Sequence, residues 1–266
     1  TTYIYTLSLH DALPISEEIK ECIIREITVS NYLKNNRIPV IRPYESIHPG
    51  PHECDNHWFS LWRYEEKTVR GKIKTEALIL AIRDLVTTML KYPGQLPVLG
   101  VWNKVQESAL NLNKMDGLLY KSLLDQYEIV NRFITSIDKK VLVPSHGDAH
   151  IRNLYPAVEN WIWMDFEDVS LMPRYWDLSS MLANIVLFNG LKIPIAKSVL
   201  DDTELVSDKQ EFFMILKARV LMSIIGNLDM ALQGLGDLEY ANLQLSKYND
   251  LFMEIDDNLN YKSIGM

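Results

Sequence analysis

Twenty residues place the tightest constraint on this chain. His146-Gly147-Asp148 follows the apolar run Val141-Leu142-Val143, Asn153 comes five residues after Asp148, and Asp165 comes seventeen after it. Asp165 closes the run Trp161-Ile162-Trp163-Met164, and the polar pair Glu159-Asn160 separates that run from Leu154-Tyr155. Two short apolar segments around a polar turn predict a hairpin. A hairpin of this length carries Asp165 back to the end where Asn153 begins, so two oxygen-bearing side chains converge beside the carboxylate of Asp148.

That triplet suits one kind of chemistry. Phosphoryl transfer to a hydroxyl needs a group to orient the hydroxyl and accept its proton, and metal ions to neutralise the phosphate oxygens. Positioning and electrostatics supply most of the catalysis. Mg²⁺ takes oxygen ligands, commonly one or two carboxylates completed by phosphates and water. In isolation Asp148 would be an ordinary loop carboxylate and Asn153 an ordinary turn residue; their spacing makes them candidates.

The tract HGDAHIRN, followed by WMDFEDVSLMPRYWDLSSM, resembles the aminoglycoside phosphotransferase and choline kinase group of kinase-like enzymes. That group shows HGDxxxxN, a D-F-D/E element and a WDL-like helix start. The likeness spans roughly Glu26 to the C-terminal helices, and Ser145 to Leu182 carries the motifs. It implies an ATP- or GTP-dependent transfer of the γ-phosphate to a hydroxyl of a small molecule, such as an aminoglycoside, choline or ethanolamine, homoserine or a sugar. By the same resemblance Asp148 is the catalytic base, Asn153 and Asp165 hold Mg²⁺, and His146 braces the loop. Asp177 caps its helix or supports the loop. Glu26 matches the helix glutamate that pairs with a nucleotide-binding lysine. Trp62 and Tyr64 fall where the nucleotide base docks. Read from the residues alone, Glu167 and Asp168 add negative potential near the metals or are simply solvated, and Glu167 is the better candidate for a metal-site role.

The front of the chain departs from that pattern. Kinase-like enzymes carry a phosphate-covering loop and a strand lysine ahead of the helix glutamate. Here the first glycine is Gly50, and the first lysine, Lys20, lies six residues before Glu26 in the same helical pattern. Poor nucleotide binding by this chain is the expected consequence. Thr1 to Ser16 contain no Gly, Lys, Arg or Glu, and LSLHDALPIS resembles a translated sequencing adapter. A non-native tract in place of the native N-terminus is therefore expected; the alternative is a short apolar strand or helix. Two further functions compete: a truncated or pseudokinase-like protein that binds without catalysing, and a metal-dependent hydrolase built on His146, Asp148, His150 and Asp165. No second His or Cys is placed to help His150 ligate a metal, so it reads as solvent-facing.

Around the motif the chain is mostly helical. Helices are predicted over Glu17–Leu33, Thr75–Lys91, Met115–Ile137, Trp176–Phe188, Glu211–Leu232 and Leu238–Ile255, from apolar residues at helical spacing. Ile38–Pro43 is expected to be extended, and Trp58–Tyr64, Val141–Val143 and Trp161–Met164 to be strands. These elements give an α+β class with a helix-rich second lobe; the resemblance implies a protein kinase-like fold, with a remnant N-terminal nucleotide-binding lobe over 17–64 and a large, mostly helical C-terminal lobe over 65–266. The hydrophobic share of 47% is ample for a core, and the net charge of −8 comes without any dense Lys/Arg run that would suggest nucleic acid. No apolar stretch reaches the ~18 residues of a membrane span. Two cysteines, Cys22 and Cys54, do not make a disulfide framework, so a reduced, cytoplasmic setting is the simplest reading. Asp237, Glu239, Asp256 and Asp257 would suit a cationic substrate, or simply face water.

Overall fold

The computed structural model describes residues 6–9, 16–68, 71–116 and 118–260. In chain order these form β1 (Thr6–Leu9), α1 (Glu17–Asn35), β2 (His52–Cys54), β3 (His57–Trp62), α2 (Thr75–Met89), α3 (Gly100–Asp116) and α4 (Lys121–Ser136). There follow β4 (Val143–Ser145), β5 (Leu154–Pro156), β6 (Trp161–Trp163), β7 (Ser170–Met172), α5 (Trp176–Asn189), α6 (Pro194–Asp201), α7 (Lys209–Leu232) and α8 (Leu238–Asn260). Most of the expected non-native tract lies outside the described residues, but its Thr6–Leu9 pairs antiparallel with β3. No helix among the described residues is long and apolar enough to cross a membrane.

The chain divides into two compact units. The first holds the described residues up to Leu96 together with Pro144–Val169; the second holds Pro97–Val143 with the described residues from Ser170 onward. This division does not follow the expected boundary at Tyr64, because the hairpin β5–β6 belongs with the N-terminal portion. The reason lies in backbone pairing. The extended Pro39–Ile41 segment runs along β6, with Ile41 N–H donating to Trp163 O at 2.8 Å and Trp163 N–H to Pro39 O at 2.9 Å. The Trp163 indole N–H also reaches Ala81 O on α2 at 3.3 Å.

Helix α1 has a complete set of end signals. Ser16 Oγ accepts from Ile19 N–H at 3.2 Å, Glu17 and Glu18 occupy the first turn and Lys34 the last, and Asn36 is the C-cap. Its apolar stripe, with Ile23 and Ile27, packs on Trp62 of β3. β3 is the middle strand of a three-stranded antiparallel sheet, ordered β1-β3-β2.

The second unit is a bundle around α7, which touches α3, α4, α5 and α8. Phe212, Leu216, Val220, Ile224 and Leu228 are buried as expected. Ile215, Ala218, Leu221 and Ile225 are buried too, so α7 is covered on most of its circumference. Asp208 Oδ1 caps it by accepting from the Gln210 and Glu211 amides. The expected helix from Met115 is instead the end of α3 and all of α4. The stripe Val101, Trp102, Val105, Ala109 and Leu112 is buried, whereas Leu119 is 67% exposed. The expected strand at Val141 is also displaced. The Asp138 carboxylate takes the Lys140 amide and tightens Lys139–Val141 into a 3₁₀ turn, and the strand starts at Val143.

Candidate active site

The hairpin places the predicted residues through its register. Leu154 stands opposite Trp163 and Tyr155 opposite Ile162. Met164 N–H extends the ladder to Asn153 O at 3.0 Å. Asn153 and Asp165 therefore lie at the same end. Asn153 is buried, and its amide nitrogen donates to Asp148 O at 2.9 Å and to Asp148 Oδ2 at 3.4 Å. With that nitrogen committed, the amide oxygen of Asn153 is the atom that can face a cation.

The loop is braced by two imidazoles. His146 is fully buried between the rings of Trp163 and Phe166. Its Nδ1 accepts from Asp148 N–H at 3.4 Å, so its Nε2 carries the proton that meets Met164 O at 3.1 Å. His150 is not solvent-facing as the sequence reading expected. Its Nδ1 accepts the Asn153 amide at 3.2 Å, and its Nε2 lies 3.5 Å from Asp148 Oδ2. It accepts in the N-cap manner, from an N–H three positions on, and opens the 3₁₀ turn Ile151–Asn153; histidine is not among the residues that favour that position, so the sequence carried no signal for it. Gly147 has φ +90°, a conformation that favours glycine.

Asp165 itself is in the left-handed region at φ +69°, which a short acidic side chain tolerates better than most. One side of it opens to a pocket of about 350 Å³, also lined by Glu26, Ile41, Trp62, Tyr64 and Met164. Asp165 stays exposed to solvent, yet partial desolvation of its carboxyl, and then the Glu167 carboxylate, push it up to about 6; Asp148 and Glu26 add to the rise and His146 opposes it. The charges of Glu167, Asp148 and Glu26 thus all bear on this corner of the site. The Glu167 carbonyl accepts from Cys22 Sγ at 3.3 Å and Arg25 Nη2 at 3.2 Å, which ties this corner to α1. Glu26 is buried on the same helix.

The remaining candidates fall as follows. Trp62 is buried, with its indole N–H on Ser60 Oγ at 2.9 Å, and serves core and pocket together; Tyr64 is exposed at the pocket edge. Asp177 belongs to the second unit and does not cap its helix. Tyr175 holds the N-cap position, and Asp177 is buried in the first turn of α5. Arg174 lies over the Tyr175 ring. Asp237 Oδ1 accepts from Tyr240 N–H and Asp256 Oδ1 holds Lys217 Nζ at 2.6 Å, so two of the four acidic substrate candidates have structural partners. Lys20 Nζ meets Glu17 at 3.2 Å and sits over the Trp58 ring.

An oxygen-only donor set, Asn153 and Asp165 among crowded carboxylates, fits a hard divalent cation completed by phosphates and water. The hydrolase reading loses its ligands. Both imidazoles spend nitrogens on the backbone, and among the described residues no three His, Cys, Asp or Glu side chains converge as a metal site.

No protein-family model matches the chain, and no curated protein matches it. Solved structures do. An amicoumacin kinase in complex with AMP-PNP, Ca²⁺ and amicoumacin is 20% identical, with a TM-score of 0.62 over 96% of this chain and 82% of that one. The GDP complex of wild-type aminoglycoside 2'-phosphotransferase-IIIa is 15% identical, with a TM-score of 0.57 over 92% and 85%. A choline/ethanolamine kinase family protein from Mesorhizobium loti is 11% identical, with a TM-score of 0.59 over 93% and 82%. The chain therefore has the protein kinase-like fold that the aminoglycoside phosphotransferases and choline/ethanolamine kinases share.

Proposed function

We propose that this protein is a phosphotransferase that moves the γ-phosphate of ATP or GTP to a hydroxyl of a small molecule in the cytoplasm. The observation that carries the reading is the joined triplet: Asn153 hydrogen-bonded to Asp148, and the ladder rung Asn153–Met164 setting Asp165 next to it. Asp148 accepts the hydroxyl proton, and Asn153 Oδ1 with Asp165 holds Mg²⁺. When bound, the ion neutralises charge on the phosphate oxygens. Glu167 and Glu26 deepen the negative field around it. Trp62 and Tyr64 wall the nucleotide pocket, and His146 and His150 fix the loop. Nucleotide-bound neighbours of the same fold support this choice.

A second reading, a non-catalytic ligand-binding relative, draws on Lys20. That ammonium is engaged by Glu17 and Trp58 on its own side of α1, and does not stand as the strand lysine of kinase-like enzymes. Nucleotide binding is accordingly expected to be weak, in the high-micromolar range or above.

The test is calorimetric titration of Mg·ATP and Mg·GTP, followed by a screen of hydroxyl acceptors. Binding should need the divalent ion, and Asp165→Asn should weaken it about tenfold or more, the worth of one charge-assisted contact. Metal must displace a proton from Asp165 below its pKa of about 6. Affinity should therefore be flat above pH 7 and fall about tenfold per unit below 6. The raised pKa also means that the carboxyl favours folding most below pH 4, a contribution lost as pH rises through 6. Nucleotide binding that ignores the metal and survives Asp165→Asn would overturn the site. Metal-dependent binding without turnover of any acceptor would select the non-catalytic reading.

A further inference from the structure

The first unit has a second and larger cavity, of about 640 Å³, which the site described above does not use. Its walls carry Lys34, Arg37, Arg42 and Arg63 against Glu65, Glu66 and Glu159. In a chain of net charge −8 this is a local reversal of sign.

Not all of these cations are equally engaged. Lys34 is paired with Glu45. Arg42 reaches a single oxygen of Glu65, Oε1, from Nη2 at 2.7 Å and Nε at 3.2 Å, and Arg63 Nε approaches the same oxygen at 3.8 Å. Two guanidiniums, with five N–H donors each, thus converge on one atom of one carboxylate. Their donor capacity exceeds what that oxygen can accept. Planar guanidinium donors match phosphate and carboxylate groups in pairs. Arg37 adds a third guanidinium from the turn after α1, where its backbone has φ +66°. The lining also includes Val40 and Ile162, so the cavity offers apolar surface beside a mixed-charge wall in which cations outnumber carboxylates by four to three. Its volume suits a small organic ligand.

We propose that this cavity binds a small-molecule anion through a phosphate or carboxylate group, which takes the place of Glu65 on Arg42 and Arg63 and is met by Arg37. The site adjoins the pocket of Asp165: Arg63, Tyr64 and Glu65 line both, and the Glu65 carbonyl accepts from Tyr155 OH at 3.1 Å. A ligand that draws Arg63 off Glu65 therefore acts on the wall of the neighbouring pocket. The binding claim does not depend on the phosphotransferase reading.

The experiment is calorimetric titration of the full chain with inorganic pyrophosphate and with citrate, in EDTA so that no divalent ion recruits the probe to Asp165. Submillimolar binding of at least one probe is expected, and the tighter of the two identifies the head group. Arg37→Gln combined with Arg63→Gln should weaken it at least tenfold, while Asp165→Asn should leave it unchanged. Glu65→Gln, which releases the guanidiniums, should tighten it several-fold. Thermal melts establish that each variant is folded, and Arg37→Gln alone, at an exposed turn, gives a smaller loss in the same direction. No binding at 10 mM, equal affinity in the double arginine variant, no gain in Glu65→Gln, or loss in Asp165→Asn would each overturn the proposal. Failure of Mg·ATP binding, measured separately, would leave it standing.

Discussion

Asp148→Asn is expected to lower the turnover number of phosphoryl transfer by about 10²–10⁴-fold, the usual worth of a positioned general base. The substitution keeps the shape of the side chain and an oxygen that can accept from Asn153 Nδ2, as Asp148 Oδ2 does at 3.4 Å. The bonds that the residue 148 backbone carbonyl accepts, from His150 N–H and from the Asn153 side-chain Nδ2, are unaffected. Folding should therefore be preserved. On the proposed reading, what is lost is a group that accepts the hydroxyl proton as the phosphate bond forms, an interaction made in the transition state. The loss should appear in kcat, with KM for nucleotide nearly unchanged. Steady-state rates at saturating Mg·nucleotide, with the acceptor found in the screen, measure it. Retained turnover in Asp148→Asn would remove the base assignment and leave the metal ligands standing.

The second large effect concerns stability. Trp102 is 1% exposed, stacks on Tyr127 at 5.6 Å, meets Trp176 edge-on at 6.2 Å and donates its indole N–H to Asn131 Oδ1 at 2.9 Å. Trp102→Ala removes the ring contacts and leaves a cavity and an amide oxygen without its donor. The expected cost is about 3–5 kcal/mol. For a domain of this size that lowers Tm by about 10 °C. Trp102→Phe, which keeps most of the volume and loses the hydrogen bond, should cost well under half as much. Denaturant or thermal unfolding followed by circular dichroism decides. A shift below about 2 °C for Trp102→Ala would show that the second unit is not held by this cluster.

How much of this was legible depends on what kind of constraint the residues carry. The hairpin was readable because strand length and turn position are local, and a fixed count of residues between Asn153 and Asp165 leaves few ways to return. Helices α1, α2, α7 and α8 announced themselves through apolar residues at helical spacing, whereas the Ser16 cap of α1 is seen only in the structure. Helix α3 did not. Its stripe includes Ala109 and alternates with Lys, Gln, Glu and Asn, so burial of Val101, Trp102 and Val105 is set by partners that arrive later in the chain. His150 was misread because its role depends on the turn it caps. Asp177 sits two residues past the position that caps, because Tyr175 takes the left-handed N-cap conformation that a residue list does not reveal. The convergence of Arg42 and Arg63 on Glu65 depends on an antiparallel crossing of two segments, with Arg63 N–H on Arg42 O at 2.8 Å.

The interleaving of the two units has a consequence for synthesis. Val40 bridges Trp163, about 120 residues further along the chain, and the segment in between builds part of the other unit. A nascent polypeptide released as far as Leu96 has its first helix and sheet but an open strand edge at Pro39–Ile41 and no ladder for it to join. Closing so distant a pairing is entropically slow. Assembly of the first unit must therefore wait for emergence of the hairpin, and a fragment cut at Leu96 would present that edge to chaperones or to other copies of itself.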